Sequence, residues 1–410
     1  MLKINEQRLL SDLNELSQIG KTPEGGVHRT ALSDLDLETR NWFKSKAEEV
    51  GLKVAQDGAG NLTATLESNH PDAKTLLAGS HLDSVPNGGR FDGPVGVLTV
   101  LESLRTIKET DLDLPVHLQC ISFTDEEGSW LSLIGSRSFI GELTAEDLLQ
   151  VRGGVDAFDE ALTRIGCTRE SVLQAKCNPS DYVGFVEVHI EQGTRLEQQQ
   201  LDIGVVDEIV GIQWYWLKFI GEAAHSGTKP MADRKDANWG ASLFAQRAKD
   251  IVKNDFFPGV LNCGQAQFKP GAFNIVPAEV QLGLEIRHGS REKLDQMEQT
   301  ILALAKDCAQ EFGLGLEVEP VTKVSPAPMS EHVMTNIEKA ASDLGLSHTR
   351  LMSFAGHDTQ SLSEVMPAAM FFVPSVNGIS HNPKEFTHDE DVGNAGNVML
   401  NSLINLAQGR

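Results

Sequence analysis

The stretch Thr75-Leu-Leu-Ala-Gly-Ser-His81-Leu-Asp83-Ser-Val-Pro-Asn-Gly-Gly-Arg-Phe-Asp92-Gly93 decides how this chain is read. An apolar run of strand length ends in a histidine, two aspartates and a pair of glycines. A helical pattern then takes over at residues 93–109. In open α/β sheets, ligands collect beyond the carboxyl ends of strands, so a polar cluster here occupies the expected place for a site. His81 offers an imidazole nitrogen to a metal, and Asp83 could accept the other ring N–H and fix the tautomer. Asp92 has two oxygens with which to bridge two cations, and Gly88, Gly89 and Gly93 permit tight turns beside it. Taken alone, the stretch also fits a surface turn with a solvated carboxylate pair. It contains no GxGxxG pattern of a dinucleotide site.

Working outward, strand and helix signals alternate. Residues 4–19 and 37–50 read as helices, the second stopping at Gly51. Residues 62–66, 116–123 and 184–189 read as strands. This is the pattern of an α/β sheet with helices on its faces. The texture changes after Gly204, where residues 212–220, 280–288 and 316–324 read as strands and residues 236–252 and 291–312 as helices. Two such strand–helix–strand units point to a compact α+β insert. Pro326 and Pro328 then punctuate the chain before a helix at 331–344, a strand at 368–373 and a final helix at 394–407. A length of 410 residues already favours two domains. The expected division is a catalytic domain at 1–210, an inserted domain at 211–324 and the rest of the catalytic domain at 325–410.

Three more strand ends carry chemistry. Phe123-Thr-Asp125-Glu126-Glu127-Gly128 places two glutamates side by side, so that one can anchor a cation while its neighbour takes a proton from water. The competing reading is an exposed acidic turn. In Phe185-Val-Glu187-Val-His189-Ile-Glu191-Gln192-Gly193, strand alternation puts Glu187, His189 and Glu191 on one face. Val373-Pro-Ser-Val-Asn377-Gly-Ile-Ser-His381-Asn-Pro383 is a loop able to bring His381 back over the sheet. Imidazoles and carboxylates around a shared aspartate suit zinc, manganese or cobalt better than a thiolate-binding metal.

Composition narrows the classes. A net charge of −23, with no basic cluster, argues against nucleic-acid binding. The five cysteines form no CxxC pair, which disfavours a disulfide framework or a thiolate zinc site. The N-terminus lacks the pattern of a signal peptide, and no apolar run is long enough to span a bilayer. A cytoplasmic location without membrane attachment is the resulting expectation.

Together the motifs GSHLDSVPNGGRFDGPVGV, TDEEGS, FVEVHIEQG, AAHSGTKPM, GHD and VPSVNGISHNP resemble the amidohydrolase branch of the M20 metallopeptidase family. That branch includes N-carbamoyl-L-amino-acid hydrolases, bacterial-type β-ureidopropionases and allantoate amidohydrolases, and the likeness runs along nearly the whole chain. It implies a mixed-sheet catalytic domain with helices on both faces and an inserted ferredoxin-like domain for dimerisation and closure. It also implies two divalent ions per subunit, zinc or manganese, with cobalt or nickel as options. By this resemblance His81 and His189 contact separate ions, Asp92 bridges them, and Glu127 and His381 complete the set. Asp83 orients His81, and Glu126 is the general base. His225, in AAHSGTKPM, stabilises an oxyanion in a neighbouring subunit's site. Asn274 and Arg287 hold the substrate carboxylate and nearby polar atoms, and Gln192 and His357 line the site. Arg287 suits this task chemically, because its planar fork can bind a carboxylate through two parallel hydrogen bonds.

The implied partner is a small carboxylate-bearing ureido or amide substrate, bound by a homodimer joined through the insert. Hydrolysis of a linear ureido C–N bond would give an amino acid, carbon dioxide and ammonia. Alternatives are an allantoate amidohydrolase, a dipeptidase or aminoacylase, or a metal-containing binding protein without turnover. Hinges near 209–211 and 324–328 would let the insert close over substrate. Three departures from the family pattern stand out: the apolar segment at 128–135, Lys229, and the aromatic run Trp214-Tyr215-Trp216.

Overall fold

The computed structural model describes residues 1–409. The chain divides into two compact units, Met1–Asp207 with the segment from Pro328 onward, and an inserted unit, Glu208–Ala327. Six strands precede the insert: β1 (Lys53–Gln56), β2 (Leu62–Leu66), β3 (Thr75–His81), β4 (His117–Phe123), β5 (Tyr182–Ile190) and β6 (Ile203–Ile209). The insert adds β7 (Gly211–Ile220), β8 (Ala224–His225), β9 (Val260–Lys269), β10 (Ile275–Val276), β11 (Glu279–His288) and β12 (Gly315–Val324). Three strands follow: β13 (Ala327–Pro328), β14 (His348–Ser353) and β15 (Ala368–Val373).

The large sheet has nine strands in the order β1-β2-β4-β3-β5-β15-β6-β13, with β14 beside β6. Its centre is parallel, β4 with β3, β3 with β5 and β5 with β15. Antiparallel pairs flank it, β1 with β2, β2 with β4 and β6 with β15. The composition of β15, Ala-Ala-Met-Phe-Phe-Val, follows from this position, since every residue is buried, as a parallel strand covered on both faces requires.

On one face Leu77, Ile121, Phe123 and Phe185 meet Phe139 and Ile140 of helix Ile134–Ile140 and Leu362 of helix Asp358–Leu362. The alternate side chains face helix Pro94–Glu109, where the Cys120 thiol lies 3.4 Å from the Val97 carbonyl oxygen. That helix is buried continuously from Pro94 to Ile107, and the charges it buries there are paired, Glu102 with Arg8 and Arg105 with Asp12. Because β4, β3, β5 and β15 are adjacent and parallel, their carboxyl ends share one edge of the sheet. The four motif-bearing loops leave from that edge.

The insert is a four-stranded antiparallel sheet, β12-β7-β11-β9, with a short β8–β10 ladder beside it. Helices Ala237–Asp255 and Arg291–Glu311 pack on it around Phe219, Phe244, Leu284, Met297 and Ile301. The βαββαβ order and strand arrangement are ferredoxin-like, as expected. Strict alternation along β11 buries Val280, Leu282, Leu284 and Ile286 and leaves Glu285 and Arg287 on the other face. No strand is expected at β9 from sequence, and the structure explains why. It is an edge of the sheet, most of its residues are exposed, and its short alternations, Leu261 with Cys263 and Ala266 with Phe268, change phase at Gly264, where the register shifts. No helix among the described residues is long and apolar enough to cross a membrane.

Gly79 leaves no room for a side chain between the central strands. A Cβ there would lie 1.9 Å from the Ile121 carbonyl oxygen on β4, its register partner. Backbone on a buried strand cannot move aside cheaply. Gly79→Ala is expected to lower stability by about 1–3 kcal/mol or more, read as a lower urea midpoint with tryptophan fluorescence as the probe.

Candidate metal centre

Each ligand-type side chain is set by a strand end or by the turn that follows. His81 is the last residue of β3, and its Nδ1 lies 3.1 Å from the main-chain carbonyl oxygen of Asp83. His189, near the end of β5, has its Nδ1 3.0 Å from the Ile190 carbonyl oxygen. A carbonyl can only accept, so both Nδ1 atoms carry the proton and both rings present Nε2 to the site. The ring N–H of His81 was expected to meet the Asp83 carboxylate. The main-chain oxygen of the same residue takes it instead, with the carboxylate at 3.7 Å. That carboxylate accepts the Glu127 N–H at 3.3 Å and so ties the β3 loop to the β4 loop.

Asp92 is the meeting point. Its Oδ1 is 2.8 Å from His189 Nε2 and 3.7 Å from His81 Nε2, and its Oδ2 is 3.4 Å from His381 Nε2. Glu127 Oε2 lies 3.3 Å from the same His381 nitrogen. Two groups able to hold a metal ion result, His81–Asp92–His189 and Asp92–Glu127–His381, and Asp92 belongs to each. This corrects one expectation. His81 and His189 fall in a single group, because both rings approach the Oδ1 side of Asp92, while His381 and Glu127 lie toward Oδ2.

The donor set fits a divalent cation on independent grounds. His81 Nε2 is buried and has no hydrogen-bond partner, while two carboxylates, Asp92 and Glu126, stand 3.7 Å from it. A neutral imidazole lone pair 2.8 Å from a carboxylate oxygen, as at His189, needs a proton or a cation between them. Without a metal, protons fill that role. Burial pulls the His81 and His189 imidazoles down, but the surrounding carboxylates outweigh it and raise both. The hydrogen bond to Asp92 helps lift His381 to about 9. Burial works to raise Asp92, yet the three histidines hold it well below the usual carboxylate range. Burial and the neighbouring Asp92 charge push Glu127 up to about 7.

Glu126 belongs to neither group. Its carboxyl is raised well above the usual range by burial and by the charges of Glu127, Asp358 and Asp92, against the pull of His81. Asp125, which carries a positive φ, accepts the N–H groups of Ser129, Trp130 and Leu131 and so shapes the turn that presents Glu126 and Glu127. The apolar segment that follows has a local reason: Trp130 packs on Phe158 and donates to the Ala31 carbonyl, and Ile134 joins the same small core.

Gln192 reaches the cluster, its amide donating to Asp92 Oδ2 at 2.8 Å. His357 is fully buried with its ring centroid 4.6 Å from that of His189, and its Nε2 has no partner. Burial and the nearby His189 charge keep it well below the ordinary histidine value. Glu187 and Glu191, on the His189 strand and just beyond it, are engaged elsewhere. Glu187 accepts from Ser80 and from the N–H and hydroxyl of Thr359, and Glu191 caps helix Arg195–Gln199 through the N–H groups of Arg195 and Leu196.

His225, Asn274 and Arg287 belong to the inserted unit. His225 and Asn274 are exposed and neighbouring, since Ser226 N–H donates to the Asn274 carbonyl at 3.0 Å and β8 pairs with β10. The Arg287 guanidinium bonds Glu285 through Nε at 2.9 Å and Nη2 at 3.0 Å, and Trp214 Nε1 donates to the same carboxylate. Ser380 and Glu385 were not anticipated. Ser380 Oγ is 2.7 Å from Asp92 Oδ2, and buried Glu385 accepts the Phe91 and Asp92 N–H groups. The only sequence signal was a polar residue on each side of His381-Asn-Pro383.

Comparison with known proteins agrees with this geometry. Residues 77–405 match the model of peptidase family M20/M25/M40. An N-carbamoyl-L-amino acid amidohydrolase of Geobacillus stearothermophilus is 35% identical over 408 residues, covering 99% of this chain and 100% of that protein. An allantoate amidohydrolase of Bacillus subtilis is 31% identical, covering 99% of each. A crystal structure of an amidase of the hydantoinase/carbamoylase family from Burkholderia multivorans superposes with a TM-score of 0.91 at 34% identity, covering 99% of this chain and 98% of that one. With the sheet order, the shared aspartate and these full-length matches in agreement, the chain belongs to the M20/M25/M40 peptidase family, in its hydantoinase/carbamoylase amidohydrolase branch, and is an enzyme of the hydrolase class.

Proposed function

We propose that this enzyme hydrolyses the linear ureido C–N bond of N-carbamoyl-L-amino acids or related ureido acids, with two divalent cations, zinc or manganese, in the Asp92 cluster. The observation that carries this reading is the placement of Asp92 between two histidine-bearing groups, with Glu126 close to His81 but outside both. His81, Asp92 and His189 would hold one cation, and Asp92, Glu127 and His381 the other. Bound there, such ions supply Lewis-acid polarisation and lower the pKa of a nearby water. Glu126 takes a proton from the attacking water and returns it to the departing nitrogen, a task suited to a carboxyl whose pKa lies above the usual range. The carbamoyl carbon leaves as carbamate, which breaks down to carbon dioxide and ammonia. Gln192 and His357 line the site. His225 stabilises the oxyanion in a neighbouring subunit's site, and Asn274 and Arg287 bind the substrate carboxylate. A homodimer joined through the insert is part of the same reading, supported by exposed Trp214, Phe268 and Phe273 on that unit. Allantoate is the second candidate substrate, because the Bacillus subtilis relative bears that activity in its name along its full length.

Glu126→Gln should bind metal as the parent does and lose about 10²–10⁴-fold in turnover, measured as ammonia release from N-carbamoyl-amino acids. Unchanged turnover would remove Glu126 from the reaction. Chelation should abolish activity, and reconstitution with zinc, manganese, cobalt or nickel should restore it on N-carbamoyl amino acids or allantoate. Restoration on dipeptides alone would defeat the ureidohydrolase reading.

Metal affinity should also depend on pH. In the metal-free site Glu127 titrates near 7 and His381 near 9, so protons increasingly occupy these groups as the pH falls. Metal must displace them. Affinity should therefore weaken steadily from pH 9 to pH 6, and calorimetry in buffers of different ionisation enthalpy should register proton release on binding. An affinity that rises toward acid would contradict the assignment.

A further inference from the structure

Glu385 has no part in the chemistry assigned above, yet it is 4% exposed and three donors converge on it. Its Oε1 accepts the Phe91 N–H at 2.9 Å and the Asp92 N–H at 3.1 Å. Its Oε2 lies 3.1 Å from Ser380 Oγ, and that hydroxyl is also 2.7 Å from Asp92 Oδ2. A hydroxyl has a single proton, so Ser380 can donate to one of these carboxylates at a time. The fit is tight on the other side as well. A Cβ at Gly89 would fall 1.9 Å from the Glu385 carboxyl carbon, so the loop crosses this carboxylate with no room for a side chain. Burying a carboxylate beside Asp92 is unfavourable unless its hydrogen bonds do something a smaller residue could not.

We propose that Glu385 is a positioning residue: it clamps the main chain at Phe91 and Asp92, and with Ser380 sets the carboxylate plane of Asp92, so that one oxygen faces His81 and His189 and the other faces His381. The clamp joins two loops from different strand ends, β3 and β15, and fixes their spacing. Outer groups of this kind orient a ligand and hold it ready for the metal. The inference rests on the reading that Asp92 holds cations, and the following test separates the two.

Metal-stripped protein is titrated with Mn²⁺ alone by calorimetry, with the thermal midpoint read in parallel. Should the parent protein take up no Mn²⁺, the metal reading itself fails. With the parent binding, Glu385→Ala is expected to bind at least about ten-fold more weakly, the scale on which lost outer-shell partners act. Glu385→Gln keeps the reach and an oxygen that can accept both N–H groups, so it should stay closer to the parent than the alanine variant. Parent-like affinity in Glu385→Ala would overturn the proposal. Should that variant not fold, Glu385→Asp and Glu385→Gln decide: aspartate keeps the charge but is one methylene short. Weaker binding by Glu385→Asp than by Glu385→Gln supports the clamp. Equal affinities or the reverse order overturn it.

Discussion

Asp92 faces imidazole nitrogens from both of its oxygens, and the rest of the site is arranged around keeping it ionised there. His189 Nε2 stands 2.8 Å from Oδ1 and His381 Nε2 3.4 Å from Oδ2. A buried carboxylate so placed is stable only while positive charge sits on each side of it. The main-chain carbonyls of Asp83 and Ile190 matter for this reason. By taking the Nδ1–H of His81 and of His189, they leave Nε2 as the atom that must meet Asp92. The tautomer is set by backbone, which cannot rotate away as a side chain can.

The fold supplies that backbone. Parallel strands β4, β3, β5 and β15 deliver four loops to one edge, and the loops are then held in unfavourable conformations. Asp125, Gln192 and His381 all have positive φ, at 56°, 56° and 53°. Each such residue costs on the order of 1–3 kcal/mol, so surrounding bonds must over-determine it. Asp125 has three backbone N–H partners, and the Gln192 N–H is held by Ser375 Oγ. Gly93, at φ +81°, belongs to the same design. A Cβ there would lie 2.4 Å from the His81 ring, so the turn after Asp92 is open only to glycine if the imidazole is to keep its place.

What could be read from the sequence, and what could not, divides along physical lines. That His81, Asp92, Glu127, His189 and His381 gather in one place was legible, because each lies at the end of an apolar strand or in the loop that follows it, a coincidence that survives without coordinates. The ferredoxin-like insert was legible from the alternation in β11 and the long helix after it. Strand β9 was not, since an exposed edge strand buries too little to leave a pattern. The assignment of His81 and His189 to separate ions came from the family resemblance, and the residues alone gave no check on it, because the pairing depends on ring orientation, which strand alternation does not specify. Glu385 and Ser380 were missed for a related reason. Their role is defined by partners nearly three hundred residues earlier in the chain, and a glutamate after Pro383-Lys384 looks like any surface residue. The carboxylate of Asp83 shows the same limit: the residue was singled out, but its main-chain oxygen does the work expected of its side chain.

The electrostatics also constrain the order of events. Asp83, Asp92, Glu126, Glu127 and Glu385 crowd one buried region, and the upward shifts of Glu126, Glu127 and Glu385 express their mutual repulsion as well as their burial. In the metal-free site protons answer this acid, since His81, His189 and His381 are all raised above the ordinary histidine value. On the proposed reading, cations in the same place would take over that charge and leave the three Nε2 lone pairs free to ligate. The protons therefore have to leave as the cations enter.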